Sequence, residues 1–104
     1  MSALSPRQIA GLRWAILRTV MVGGYLGATD AMAVNVARAE YLGVTTQDVR
    51  NELDYLESRK LVTLERSEIE PWRVKLTRYG RDVVDYQVDV EPGIDRPPFI
   101  DRHA

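Results

Sequence analysis

The chain has 104 residues, of which 45% are hydrophobic, enough for one modest core and one domain but not for two. It has no cysteine, and its one histidine, His103, stands at the penultimate position, so disulfides, a thiol nucleophile and a cysteine-based zinc site are excluded, and neither a metal nor redox chemistry is expected. The net charge is −1, from 14 basic and 15 acidic side chains, so any hold on a nucleic-acid backbone must come from a local patch.

The most apolar long window, Val20 to Ala37, is interrupted by Gly23, Gly24, Gly27, Asp30 and Asn35, which a bilayer would penalise. No membrane contact is expected. The first residues also lack the basic start, apolar block and cleavage signature of a secretory signal, which points to the cytoplasm of the cell that makes the protein.

Ser5-Pro6 is a cap residue followed by a proline at the first helical position, and Ile9, Leu12, Ile16 and Val20 continue at helical spacing. This is the first expected helix. Trp14, Leu17 and Met21 add a second apolar row, which is either buried by the domain or marks a dimer contact; with Val84 of the last helix these are the dimer candidates. After the glycines at 23, 24 and 27, Thr29 or Asp30 can cap a second helix carrying Met32, Val36 and Ala39 on one side, and Gly43 is expected to end it in a left-handed conformation.

Thr45 with Asp48 three residues on makes a capping-box start for a third helix, expected over 46–60. Two helices joined by a tight turn form the helix-turn-helix pattern. Val49, Leu53 and Leu56 turn inward, which leaves Gln47, Arg50, Asn51, Asp54 and Ser58 on the opposite face. Arg50 has the fork that spans a guanine edge, and Asn51 or Gln47 the amide that pairs with adenine, so these three are the expected base contacts. Arg38, Thr46, Arg59, Lys60, Arg66, Arg73 and Lys75 are the expected phosphate contacts, although Arg59 and Lys60 also suit the negative end of the helix dipole. The carboxylates Asp48, Glu52, Asp54 and Glu57 read as a solvated helix face with i,i+4 partners. No nucleophile beside a base, metal cluster or pocketed carboxylate pair is visible, so neither catalysis nor a cofactor is expected.

Beyond Leu61 the period changes from helical to alternating, with Val62 and Leu64, then Trp72, Val74 and Leu76. That pattern is a hairpin. Its tip, Ser67 to Pro71, is acidic through Glu68 and Glu70, which argues against deep minor-groove insertion. Thr77 then caps a fourth helix containing Tyr79, Val83, Val84 and Tyr86, with Gly80 allowing close backbone approach. The order helix, helix, helix, hairpin, helix defines the expected fold: mostly α with a β-hairpin wing, a winged helix-turn-helix domain over 1–87. Residues 88–104, with three prolines and a glycine, read as an extended C-terminal arm that either hangs free or is clipped to its own domain or a neighbour by Ile94, Pro97, Pro98 and Phe99.

"VTTQDVRNELDYLESRKLVTLE" followed by "PWRVKLTRYGRDVV" resembles the recognition helix, wing and closing helix of winged-helix regulators related to ArsR, MarR and PadR, with Leu76, Thr77 and Gly80 matching their Leu-Thr-x-x-Gly turn. The whole chain is still more similar to a small protein carried by Mu-like bacteriophages and prophages, which closes on a Gly-hydrophobic-x-Arg-Pro ending; here that is Gly93, Ile94, Asp95, Arg96 and Pro97. The resemblance implies a phage-type protein in a bacterial host cell. The expected function is binding of double-stranded DNA, as a regulator of transcription, through helix 46–60, with a homodimer as a further expectation. The alternative is a winged-helix module that docks on a phage or host protein through the same helix and the arm, in which case a chain cut before Glu91 would lose its partner and keep its fold.

Overall fold

A computed structural model describes residues 4–99. Four helices, α1 (Pro6–Val22), α2 (Asp30–Arg38), α3 (Thr46–Ser58) and α4 (Arg78–Val84), surround a core closed on one side by a three-stranded antiparallel sheet. No helix among the described residues is long and apolar enough to cross a membrane.

Each helix begins where the sequence supplies a cap. The Ser5 hydroxyl accepts from Gln8 N while the Gln8 side chain accepts from Ser5 N, and Thr45 and Asp48 repeat this reciprocal arrangement at α3. Thr29 caps α2, and Thr77 caps α4 through Gly80 N. Two helix ends are less conventional. Lys60 (φ 68°) and Tyr86 (φ 61°) follow α3 and α4 in the left-handed region that usually takes glycine. In each case the next amide reaches back five residues, Leu61 N to Leu56 O at 3.0 Å and Gln87 N to Asp82 O at 2.8 Å, which satisfies carbonyls the helix leaves open. The third helix therefore stops two residues short of the expected 60, and Tyr86 lies outside the fourth. Gly43 does not end α2, which stops at Arg38; it sits at φ 87° in the turn before α3.

The hairpin strands β2 (Val62–Glu65) and β3 (Arg73–Leu76) pair with Leu64 opposite Val74, and a two-residue strand β1 (Ala28–Thr29) joins the other edge of β3, giving the order β1-β3-β2. Two residues are too few to show a period, so β1 has no sequence signature. Gly27 lets β1 come this close, because a Cβ there would run into the Val74 carbonyl. Gly80 does the same for α4, whose first turn presses on the Leu61 carbonyl.

Leu12, Ile16, Leu17 and Val20 of α1, Ala33, Val34 and Ala37 of α2 and Val49, Leu53 and Leu56 of α3 meet Val62, Val74 and Val83 in one cluster. The α2 row of Met32 and Val36 faces outward instead, at 47% and 51% exposed.

The described part of the arm is held against the domain. Ile94 is buried in the same core, Asp95 N donates to the Ala10 carbonyl at 3.1 Å, and Arg13 Nη1 donates to the Gly93 carbonyl at 2.9 Å. Arg96 donates to the carbonyls of Val83 and Val88, the Tyr86 hydroxyl donates to the Pro97 carbonyl, and Phe99 tilts against the Tyr86 ring. A chain cut before Glu91 would thus lose core and not only a tail.

Candidate nucleic-acid interface

The outer face of α3 carries Thr46, Gln47, Asn51, Asp54 and Ser58 in solvent, with Arg50 half-buried among them. Gln47 Nε2 donates to Asn51 Oδ1 at 2.8 Å, so the two amides expected to read adenine are already paired one turn apart. That bond is exposed and readily exchanged for a base edge.

Arg50 is held far more firmly. Its Nε donates to Asp30 Oδ2 at 2.7 Å, and its guanidinium carbon stands 4.7 Å from the centre of the Trp72 ring. The Asp30 side chain is 2% exposed and that of Arg50 28%. Asp30 Oδ1 accepts from Trp72 N at 3.2 Å, and Asp30 N donates to the Trp72 carbonyl at 3.0 Å. One carboxylate therefore joins α2, α3 and Trp72, the residue that leads into β3. The sequence offered Asp30 only as a possible cap and Trp72 only as an inward strand residue, since the contacts that give them this role span up to 42 residues.

Trp72 also supports Arg66 on the hairpin, whose guanidinium carbon lies 5.2 Å from the ring centre. Arg66 Nη2 donates to Asp54 Oδ1 and to Glu57 Oε1, both at 2.7 Å, and the bonds to Glu57 and then Asp54 raise its pKa further above an already basic value. Its charge is thus spent on the two carboxylates of α3 nearest the hairpin. Arg59 is similarly bound by Glu91 of the arm, at 2.9 and 3.0 Å from Nε, and the bond raises its pKa.

The remaining expected phosphate contacts are scattered. Arg38 donates from Nε to the Val44 carbonyl at 3.0 Å, bracing the turn before α3. Lys60 lies exposed at the far end of α3, and Arg73 and Lys75 point away from the core on β3, opposite Glu65 and Thr63. The Lys75 ammonium sits 5.8 Å from the Tyr25 ring. The hairpin tip is tied by Ser67, whose hydroxyl accepts from Ile69 N and Glu70 N, which leaves Glu68, Ile69 and Glu70 in solvent.

Glu52, expected on a solvated face with a helical neighbour as partner, is 9% exposed and pairs across the fold with Arg13, whose Nε donates at 2.8 Å while its guanidinium stacks 3.5 Å over Tyr55. Of the dimer candidates, Leu17 is fully buried in the chain's own core and has no surface to offer a partner. Trp14, Met21 and Val84 are half-buried, with Trp14 edge-on to Tyr86. Comparison with protein-family models, curated proteins and solved structures gives no match, so the geometry of Arg50, Asp30 and Trp72 carries the functional argument.

Proposed function

We propose that the chain is a winged-helix protein that binds double-stranded DNA with α3 in the major groove and the β2–β3 hairpin beside it, acting as a phage- or prophage-type regulator in the cytoplasm of the bacterial host. The observation that carries this reading is the fixed Arg50. Asp30 takes the Nε edge, so the two terminal nitrogens remain for a guanine edge, the pairing that fits a guanidinium fork. A side chain held in place by Trp72 and a buried carboxylate has little freedom left to lose on binding, which is worth about 0.5–1.5 kcal/mol for a long side chain. Gln47 and Asn51 flank it with amides suited to adenine. Arg38, Lys60, Arg73 and Lys75 would supply the phosphate contacts.

The test is fluorescence anisotropy with a mixed-sequence duplex at about 50 and about 200 mM salt, where phosphate-driven binding changes most. Binding should be micromolar at the lower salt and collapse at the higher. Lys75→Ala should weaken binding to all sequences alike, whereas Arg50→Lys, which keeps the charge and loses the fork, should cost discrimination worth about 1–3 kcal/mol. Equal affinity for every sequence by wild type and Arg50→Lys would remove Arg50 as a reader.

A second reading is favoured by a different observation. Arg66 can exchange its exposed carboxylates for a phosphate, but Asp54 and Glu57 would stay behind on the same face, next to the acidic tip. A basic protein surface suits such a face better than DNA. Absence of duplex binding at the lower salt selects this docking role, and Glu68→Lys with Glu70→Lys should then abolish a crosslink placed at Asn51 to a partner protein.

A further inference from the structure

We propose that Asp54 is a further base-reading residue of α3, accepting from the N4 amino group of a cytosine near the guanine taken by Arg50, with Arg66 of the hairpin as its positioning residue. This role rests on the DNA-binding reading above and adds a base to it. Two outward side chains of α3 are each held at one edge and open at the other. Arg50 gives its Nε to Asp30 and keeps both terminal nitrogens, while Asp54 receives Arg66 Nη2 on Oδ1 at 2.7 Å and its Oδ2 has no hydrogen-bond partner among the described residues. Both guanidiniums stand over the Trp72 ring, at 4.7 and 5.2 Å, so contacts run unbroken from buried Asp30 through Arg50, Trp72 and Arg66 to Asp54. The two reading groups are thus fixed relative to each other. Four residues rise about 6 Å along a helix and base pairs stack at roughly 3.4 Å, which places the two contacts one or two base pairs apart.

A bare carboxylate facing DNA is repelled by phosphate, and Arg66 offsets that charge where it arises. Glu57 takes the guanidinium at 2.7 and 3.4 Å but lies off the outward row of Arg50, Asn51 and Asp54, so of the two carboxylates Asp54 alone meets base edges. Groove chemistry decides what its open oxygen accepts. Guanine and thymine offer the major groove no donor, and adenine sets its N7 acceptor beside its amino group, which opposes a carboxylate. Cytosine offers an amino donor alone.

The test is a selection from randomised duplexes at about 50 mM salt, followed by anisotropy of the selected duplex with each base in turn at the positions flanking the guanine. The wild type should favour cytosine at one of them by about tenfold, the discrimination of a good base contact. Asp54→Asn should move that preference to adenine, whose N7 and N6 match a carboxamide. Arg66→Ala should weaken binding to every duplex, because an unshielded carboxylate then faces the phosphates, and should weaken it less in an Asp54→Asn background. A wild type indifferent to the flanking bases, or Asp54→Asn binding every duplex more tightly with no change of preference, would overturn the proposal while leaving Arg50 as a reader. An equal loss from Arg66→Ala in both backgrounds would remove Arg66 from it. Failure to bind any duplex would end the DNA reading and this role together.

Discussion

Asp30 takes the amide of Trp72, just before β3, and a guanidinium from α3 while almost wholly removed from water. A carboxylate so placed is tolerated only because both oxygens are engaged. Asp30→Ala should cost about 2–4 kcal/mol, somewhat below the figure for a fully buried pair because Arg50 keeps some access to solvent. Urea unfolding measures it, and a loss under about 1 kcal/mol would mean that water replaces the carboxylate without difficulty. A second residue sets an alkaline limit. Burial first, then the carboxylates of Glu40 and Asp95, push the Tyr41 phenol above its ordinary 10.0. The unfolded chain gives up this proton at lower pH than the folded one, so the folded state holds more protons in that range and stability falls as pH rises past the unfolded value. Tyr41→Phe should lessen the drop in melting temperature between about pH 8 and about pH 11, and identical drops in the two proteins would show that Tyr41 is not the source.

Among the elements, helix starts were legible because a start is written in a few adjacent residues: Ser5 with Gln8, Thr45 with Asp48, Thr77 before Gly80. Helix ends were not. The ends of α3 and α4 carry lysine and tyrosine where local preference asks for glycine, and only the hydrogen bonds that reach back five residues reveal the motif. Lys60→Gly should accordingly stabilise the protein by about 0.5–1 kcal/mol, the strain relieved less the greater freedom of an unfolded glycine. A lower melting temperature for Lys60→Gly would count against this, and would imply that the lysine stem packs favourably. At the candidate interface the outward side of α3 followed from its periodicity, while the neutralising partners of Arg50, Arg59 and Arg66 lie 20, 32, 12 and 9 residues away and could not.

For the molecule as a whole, the sequence left the arm either free or clipped to its own domain by Ile94, Pro97, Pro98 and Phe99, and the structure shows the clipped form as far as residue 99. Proline and glycine content reads as a tail because it disfavours helix and sheet, yet burial needs neither. Ile94 enters the core as a single side chain, held by the backbone contacts of Gly93 and Asp95 to α1. Ile94→Ala should cost about 2–4 kcal/mol, and a chain ending at residue 90 should melt at lower temperature and cut faster with protease than the full chain. Unchanged melting would restore the arm to the status of a tail. The contact between Ala10 and Asp95 also has a consequence for synthesis. It joins α1 to a segment 85 residues later, from Ala10 to Asp95, so the core that α1 shares with Ile94 is completed only after α2, α3 and the hairpin have been made. At roughly 5–20 residues per second that interval lasts several seconds, during which a nascent chain presents an incomplete core to chaperones and to neighbouring chains.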